Sequence, residues 1–189
     1  VVDDGSSDGT AVVAAAFGAA VVRHEGRRGL GAALRTGLAA ARDLDVTAAV
    51  YLDADGEYDP AEAERLLEPI RAGRADYVLG SRSAGSIEGM TASRRFANRA
   101  FSLLLSGLCG RWVSDGQTGY RAFSRRALDV AEIVHDYNYA QVLTLDLLHK
   151  GMRMTEVPIA YRRRREGRSF INVEYLWRVP LGMAREVLR

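Results

Sequence analysis

Short apolar runs alternate along this chain with longer stretches of helical spacing. The runs at 1–3, 19–23, 48–52, 77–80 and 154–161 have the length and β-branched content of strands. Apolar residues recur at helical spacing over 9–17, 30–44, 60–72, 93–108, 125–134 and 138–150, and again over 173–188. Pro60 suits the first turn of a helix, where its missing N–H costs nothing, and Gly151 suits a helix stop after Lys150. Strands alternating with helices of this length predict an α/β fold, a mainly parallel sheet flanked by helices. No repeat, low-complexity tract or linker interrupts the pattern, so residues 1–189 read as one domain. The chain opens at Val1, already inside a strand-like Val-Val-Asp-Asp, and a domain truncated before its first strand is the expectation.

In an open parallel sheet, ligands bind beyond the carboxyl ends of the strands. Two acidic clusters fall at such ends: Asp3-Asp4-Gly5-Ser6-Ser7-Asp8-Gly9-Thr10 after the first run, and Asp53-Ala54-Asp55-Gly56-Glu57 after the third. Alternate side chains share a face in extended backbone, so Asp53, Asp55 and Glu57 are expected to converge. Carboxylate oxygens suit hard cations such as Mg²⁺ or Mn²⁺. The bland reading, a solvated turn with helix-capping acids, fits Asp59-Pro60 better than the residues directly behind the apolar Ala-Ala-Val-Tyr-Leu. In the first cluster, Asp8 and Thr10 are expected to start the next helix, which leaves Asp3 and Asp4 to accept hydrogen bonds from a nucleoside.

Composition sharpens this picture. The 189 residues carry 26 basic and 24 acidic side chains, a net of +2, and Lys150 is the only lysine. Residues 1–60 hold five arginines against ten acids, so the excess of arginine lies in the rest of the chain. An acidic first third and a basic remainder suggest a site that combines a metal with an anion. Cys109 is the single cysteine, which excludes a disulfide and a cysteine zinc cluster and leaves it as a small core residue. His24, His135 and His149 lack metal-ligand spacing and read as structural. Arg162–Arg165 form a basic run, but no stacking aromatics or recognition motif accompany it, so nucleic acid is not an expected partner.

Several motifs fail. An EF-hand loop counted from Asp53 would need glycine where Tyr58 stands, and Gly29-Leu30-Gly31 would need glycine at 34, which is leucine. There is no Gly-Lys-Ser/Thr phosphate loop. A haloacid-dehalogenase phosphatase would follow its Asp-x-Asp-Gly differently and would need a downstream lysine.

Taken together, the motifs resemble family-2 glycosyltransferases of the GT-A (Rossmann-like) fold. Val1–Thr10 is similar to their nucleotide-binding strand and turn, and Asp53-Ala54-Asp55 to their metal-binding Asp-x-Asp. Arg28-Gly29-Leu30-Gly31-Ala32-Ala33, Gly80-Ser81-Arg82 and Asp115-Gly116-Gln117-Thr118-Gly119-Tyr120-Arg121 resemble segments of the polyprenyl-phosphate sugar synthases within that family, of the dolichol-phosphate mannosyltransferase type. So do Glu156-Val157-Pro158-Ile159 and the later Arg164, Gly167 and Ser169. No Gln-x-x-Arg-Trp of processive synthases occurs.

The resemblance implies inverting transfer of a sugar from a GDP- or UDP-linked donor to a lipid phosphate. It implies Mg²⁺ or Mn²⁺ on Asp53, Asp55 and Glu57, and donor contacts from Asp3, Asp4, Gly5, Ser6, Ala54 and Arg164. Arg82, Arg121 and one of Arg94 or Arg95 are the implied acceptor-phosphate ligands. A lipid phosphate is already an anionic nucleophile; a hydroxyl acceptor, the alternative, would call for a general base, with Asp115 the candidate. A non-catalytic nucleotide-binding domain and a sugar nucleotidyltransferase are further readings. The 93–108 stretch, with Phe96, Ala97, Ala100, Phe101, Leu104 and Leu108, reads either as a core face or as an interfacial helix. The 173–189 stretch has its own apolar residues flanked by arginine, and the two stretches together suggest a peripheral place on the cytoplasmic face of a membrane.

Overall fold

A computed structural model of the chain describes residues 1–134, 136, 140–163 and 175–187. The chain divides into two compact units, Val1–Val46 with Glu132–Tyr139, and Thr47–Ala131 with Ala140–Arg189.

In the first unit, the opening apolar run forms β1 (Val2–Asp3), followed by α1 (Thr10–Ala16), β2 (Val22–Arg23) and α2 (Leu30–Asp43). β1 and β2 pair in parallel, Val2 opposite Val22. α2 buries Ala32, Leu34 and Leu38, a stripe at helical spacing, and packs against β1. Asp8 accepts from the Thr10 amide (3.1 Å) and hydroxyl (2.5 Å), while the N-cap position itself is Gly9.

The second unit holds the larger sheet. β3 (Ala48–Tyr51) leads through a single 3₁₀ turn (Pro60–Glu62) into α3 (Ala63–Arg71); Asp59 caps that turn by accepting from the Ala61 amide at 2.9 Å. Then come β4 (Tyr77–Glu88), α4 (Ala92–Cys109), β5 (Arg121–Ser124), α5 (Arg125–Val130), α6 (Ala140–His149), β6 (Met154–Arg162) and α7 (Tyr175–Val187). The strand order is β3-β5-β4-β6. β4 and β6 run parallel, but β5 runs antiparallel to both its neighbours, so this sheet is mixed. β5 carries no strand signal in the sequence: Arg-Ala-Phe-Ser opens on a charge and is mostly buried, so neither alternation nor a long apolar run marks it. The two acidic clusters follow strands of different sheets, β1 and β3, so they do not cap one ladder.

β4 is much longer than its apolar start because it continues past an irregularity. Ser81 pairs with Pro158 and Ser86 with Ala160, so four residues of β4, Arg82 to Gly85, face the single Ile159 of β6. Such a bulge bends the strand and re-aims its side chains. Glycine permits it: a Cβ on Gly85 would lie 2.1 Å from the Ile159 carbonyl oxygen. Under this sheet, Leu66 of α3 packs with Tyr58, Val78, Tyr120, Ala122, Ile159 and Tyr161. Full burial of a leucine such as Leu66 contributes about 2 kcal/mol. α7 buries Val179 and Met183 against α6. Among the described residues, no helix is long and apolar enough to cross a membrane.

α4 starts at Thr91, whose hydroxyl accepts from the Arg94 amide, and ends at Gly110. It buries Phe101, Ser102 and Leu105, while Phe96, Leu103 and Leu104 are exposed. The expected core face is therefore only partly a core face. Cys109 is half-buried, and burial pushes its thiol up to about 11.

Candidate active site

The loop after β3 carries Asp53, Ala54, Asp55 and Glu57. Asp53 is half-buried; its Oδ1 accepts from the Tyr51 hydroxyl, and its Oδ2 lies where a Cβ on Gly119 would stand, 2.0 Å away. Burial, with repulsion from Asp55 and Glu57, pushes the Asp53 carboxyl up to about 6, although Tyr51 and Arg121 pull it down. Asp55 and Ala54 are exposed, and Asp55 accepts from the Glu57 amide at 3.1 Å. Glu57 does not join them. Gly56 takes φ +75°, which ends the extended alternation and turns the next side chain inward. Buried to 4% exposure, Glu57 accepts from Arg94 Nη1 (3.2 Å), Arg94 Nη2 (3.3 Å) and the Tyr161 hydroxyl (2.9 Å). Among the described residues, no group of three carboxylate, histidine or cysteine side chains could hold a metal ion. The expectation of a three-carboxylate site is thus corrected. The Asp53–Asp55 pair fits a hard divalent cation by its chemistry: carboxylate oxygens suit such ions, and a cation would offset the burial that chiefly raises Asp53 and the lesser repulsion from its acidic neighbours; Mg²⁺ and Mn²⁺ take their other ligands from water and phosphate.

The turn before β5 is built from within. Glu156 of β6 accepts from the Ser114 amide (3.0 Å), the Ser114 hydroxyl (2.8 Å) and the Asp115 amide (3.1 Å). So held, Asp115 receives the Arg82 amide (3.0 Å), Nε (2.6 Å) and Nη2 (2.7 Å). Both partners are 2% exposed. A general base needs a free lone pair within reach of an acceptor. Asp115 is committed to a buried, bidentate ion pair, which corrects its assignment as a base and makes it the residue that orients Arg82. Arg121 is corrected too. It is fully buried, and its guanidinium donates to the Thr118, Ala140 and Gly116 carbonyls and to the Tyr77 hydroxyl, so it shapes the turn from inside the core and faces no phosphate.

Beside this turn lies a cavity of about 490 Å³. The β4 bulge contributes Arg82, Ser83 and Ala84, and α4 contributes Arg95, Phe96, Asn98, Arg99 and Ser102. Ile87, Met90, Trp112, Ser114 and Asp115 complete the wall. Of the alternatives Arg94 and Arg95, it is Arg95 that lines the cavity, whereas Arg94 turns to Glu57. Arg99 is a third cationic wall residue. Phe96 and Trp112 stand 78% and 58% exposed. Glu156, Tyr58 and Tyr161 are site-building residues outside the sequence-derived set. Tyr58 accepts from the Gly119 amide at 2.9 Å, and it packs on Tyr120 and Tyr161 with ring centroids 5.5 and 6.2 Å away. Only the Glu-Val-Pro-Ile motif signalled Glu156; nothing local singles out the tyrosines.

In the first unit, Asp3 is buried, its Oδ1 accepting from the Ser6 amide at 2.9 Å; the Ser6 side chain first, and then this amide, hold its carboxyl below the usual range. Asp3 Oδ2 lies 3.3 Å from Arg23 Nε and has no hydrogen bond. Ser6 offers its carbonyl to Arg23 Nη2 (3.0 Å), and a Cβ on Gly5 would meet the Gly26 carbonyl carbon at 2.7 Å. Asp4 accepts from the Arg28 and Gly29 amides, both at 2.9 Å, and lies 2.7 Å from His24 Nδ1. Burial raises its carboxyl, but these bonds outweigh burial and hold it below the ordinary value. His24 also lies 3.0 Å from Thr36 Oγ1, a structural role. Asp4 therefore fastens the turn to the Arg28-Gly29 segment, while Asp3 is buried beneath the turn and paired with Arg23. Arg164, Gly167, Ser169 and His135 lie outside the described residues.

Residues 1–131 match the sequence profile of glycosyl transferase family 2. The chain is 36% identical over 111 residues to a UDP-N-acetylglucosamine–dolichyl-phosphate N-acetylglucosaminyltransferase of Methanococcus voltae, covering 58% of this chain and 44% of that protein. It is 33% identical over 180 residues to an undecaprenyl-phosphate mannosyltransferase of Micrococcus luteus, covering 89% and 73%. Among solved structures, it is similar to glucosyl-3-phosphoglycerate synthase of Mycobacterium tuberculosis in complex with Mn²⁺ and UDP-glucose. The TM-score is 0.70 at 27% identity, and the match covers all of this chain and 64% of that one.

Proposed function

Because the chain belongs to glycosyl transferase family 2, we propose that it moves a sugar from a nucleotide-diphosphate sugar to a polyprenyl-type lipid phosphate. The observation that carries this reading is the cavity wall. Arg95 and Arg99 supply a cationic side, with the Arg82–Asp115 pair set behind them, and Ile87, Met90, Phe96 and Trp112 supply an apolar one. An amphiphilic anion, a phosphate on a hydrocarbon chain, satisfies both sides. Arginine's planar fork suits phosphate oxygens, and the Asp115 pair fixes the plane of Arg82 in advance.

A phosphate acceptor also needs no base, in keeping with the commitment of Asp115. The acceptor oxygen attacks the anomeric carbon, and the nucleoside diphosphate leaves from the opposite face with inversion. Asp53 and Asp55 would hold a divalent cation, which supplies charge stabilisation to the departing diphosphate. The exposed Phe96 and Trp112 would let the cavity mouth meet the membrane surface that holds such an acceptor.

The test is a transfer assay on the full-length protein with Mn²⁺, a panel of UDP- and GDP-sugars, and farnesyl phosphate, 3-phosphoglycerate or a simple sugar as acceptor. Transfer to farnesyl phosphate, lost in Arg95→Gln and in Asp55→Ala, is the expected result. Transfer only to the sugar or to phosphoglycerate would overturn the lipid-phosphate reading.

A further inference from the structure

The loop that carries Asp53 and Asp55 and the helix that walls the cavity are tied together by three side chains that face neither. Arg94, in the first turn of α4, donates through Nη1 and Nη2 to the two Glu57 oxygens and through Nη1 to the Tyr161 hydroxyl at 2.9 Å. Tyr161 of β6 in turn donates to Glu57 Oε1 at 2.9 Å. The loop backbone is pinned to the same strand: the Arg162 amide donates to the Glu57 carbonyl at 3.0 Å, and Tyr58 bridges to Tyr161. The Tyr161 ring also bears on both cationic side chains, with the Arg82 and Arg94 guanidinium carbons each 5.5 Å from its centroid. Such contacts attract the cation through the ring quadrupole, the more so where water is excluded. Charge-assisted bonds to a buried carboxylate are stronger than neutral ones.

We infer that Glu57, Arg94 and Tyr161 are positioning residues that form a latch, fixing the N-terminal turns of α4, and with them Arg95, Phe96 and Arg99, to the Asp53–Asp55 loop. The latch spends the third carboxylate of the loop on an arginine instead of a cation. Its consequence for catalysis rests on the reading of the cavity as an acceptor site: the acceptor wall and the donor loop hold one geometry because Glu57 joins them.

The experiment uses Glu57→Gln, Arg94→Gln and the double variant in the full-length protein, with Tyr161→Phe as a variant that keeps the ring and removes only the hydroxyl. Three quantities are measured: amide hydrogen exchange over residues 92–98, the affinity for Mn²⁺ alone, and the affinity for farnesyl phosphate. Each single variant should speed exchange in this segment by about fivefold or more, and the double variant should be no faster than the faster single, because partners in one network are not additive. Mn²⁺ affinity should change by less than about twofold, while farnesyl phosphate should bind about tenfold more weakly. Tyr161→Phe should lie between wild type and the singles with the fold intact. Unchanged exchange in Glu57→Gln and Tyr161→Phe, or single effects that multiply in the double, would overturn the latch. So would a loss of Mn²⁺ affinity of about tenfold or more in Glu57→Gln that Arg94→Gln does not share, which would make Glu57 a metal ligand and not the partner of the arginine. If the wild type binds no farnesyl phosphate, the acceptor reading of the cavity falls, while exchange and Mn²⁺ binding still decide the latch.

Discussion

At the scale of single residues, Asp53 is a carboxylate whose charge the site disfavours. Its carboxyl is raised to about 6 from an ordinary value of 3.8, with burial the leading cause and its acidic neighbours adding to it. Between those two values the folded protein holds more protons than the unfolded chain, so in the absence of divalent cations stability falls as pH rises through that window. Asp53→Asn removes the penalty. In chelator, it should be more stable than wild type at pH 8, by on the order of 2 kcal/mol, and little different at pH 4, as read from urea unfolding. Mn²⁺ should reverse the order at pH 8, because only the carboxylate gains from the ion. Asp115→Asn should act in the opposite sense at pH 8. It leaves Arg82 buried without its counter-charge and should cost about 3–5 kcal/mol in the same measurement. Gly119→Ala places a methyl 2.0 Å from Asp53 Oδ2. Mn²⁺ affinity should drop by about tenfold, since small displacements of a ligand are costly, while the variant stays folded by circular dichroism. The residue scale is also where the sequence misleads. Asp53 and Asp55 are legible as an acidic pair behind a strand, but the extension of that face to Glu57 assumes extended backbone, and Gly56 breaks it. Arg121 sits in a basic stretch and resembles a surface ligand; its partners Tyr77 and Ala140 come from segments that only the fold brings together.

Among the elements, β4 does the most to create the site. Its first four residues are an ordinary buried run and were readable as a strand. Its continuation was not, because the pairing of Ser86 with Ala160 resumes only after four residues have been shed on one side. Periodicity reports which face a strand buries, and a bulge resets that face without any change in composition. α4 shows the same limit: spacing marks it as a helix, yet it does not say that Phe101 and Leu105 point inward while Phe96 and Leu104 point out. Gly85→Val tests the bulge. The side chain would run into the Ile159 backbone, and the strand must shift to accept it. The expected result is a destabilisation of about 1–3 kcal/mol by urea unfolding, with a larger loss in farnesyl phosphate binding than in Mn²⁺ binding, because Arg82 to Ala84 move while Asp53 and Asp55 stay.

For the molecule as a whole, charge is distributed more tellingly than it is summed. The net is +2, yet the first 60 residues are acidic, and the arginines gather beyond them. α4 brings Arg95 and Arg99 to the cavity wall together with the exposed Phe96, and Trp112 lines the same cavity. On the proposed membrane-facing reading of this rim, binding to vesicles rich in anionic phospholipid should fall steeply as salt is raised from about 0.05 to 0.5 M, since charges that face water are screened within a Debye length. Phe96→Ser with Trp112→Ser should lower it at both salts, as measured by co-sedimentation. The fold class and the acidic turns were legible at this scale because strand and helix periods are local. The cavity was not, because its wall is drawn from β4, α4 and the 112–115 turn. One consequence of the bulge concerns how such a site can diversify. The ladder on either side of Arg82–Gly85 is closed by Ser81 and Ser86, so the number of residues looped out between them is free of the sheet's register. Insertions or deletions there would resize the cavity mouth while the scaffold stayed unchanged, and on the proposed reading of that cavity this short segment would be a length-coded dial for acceptor choice.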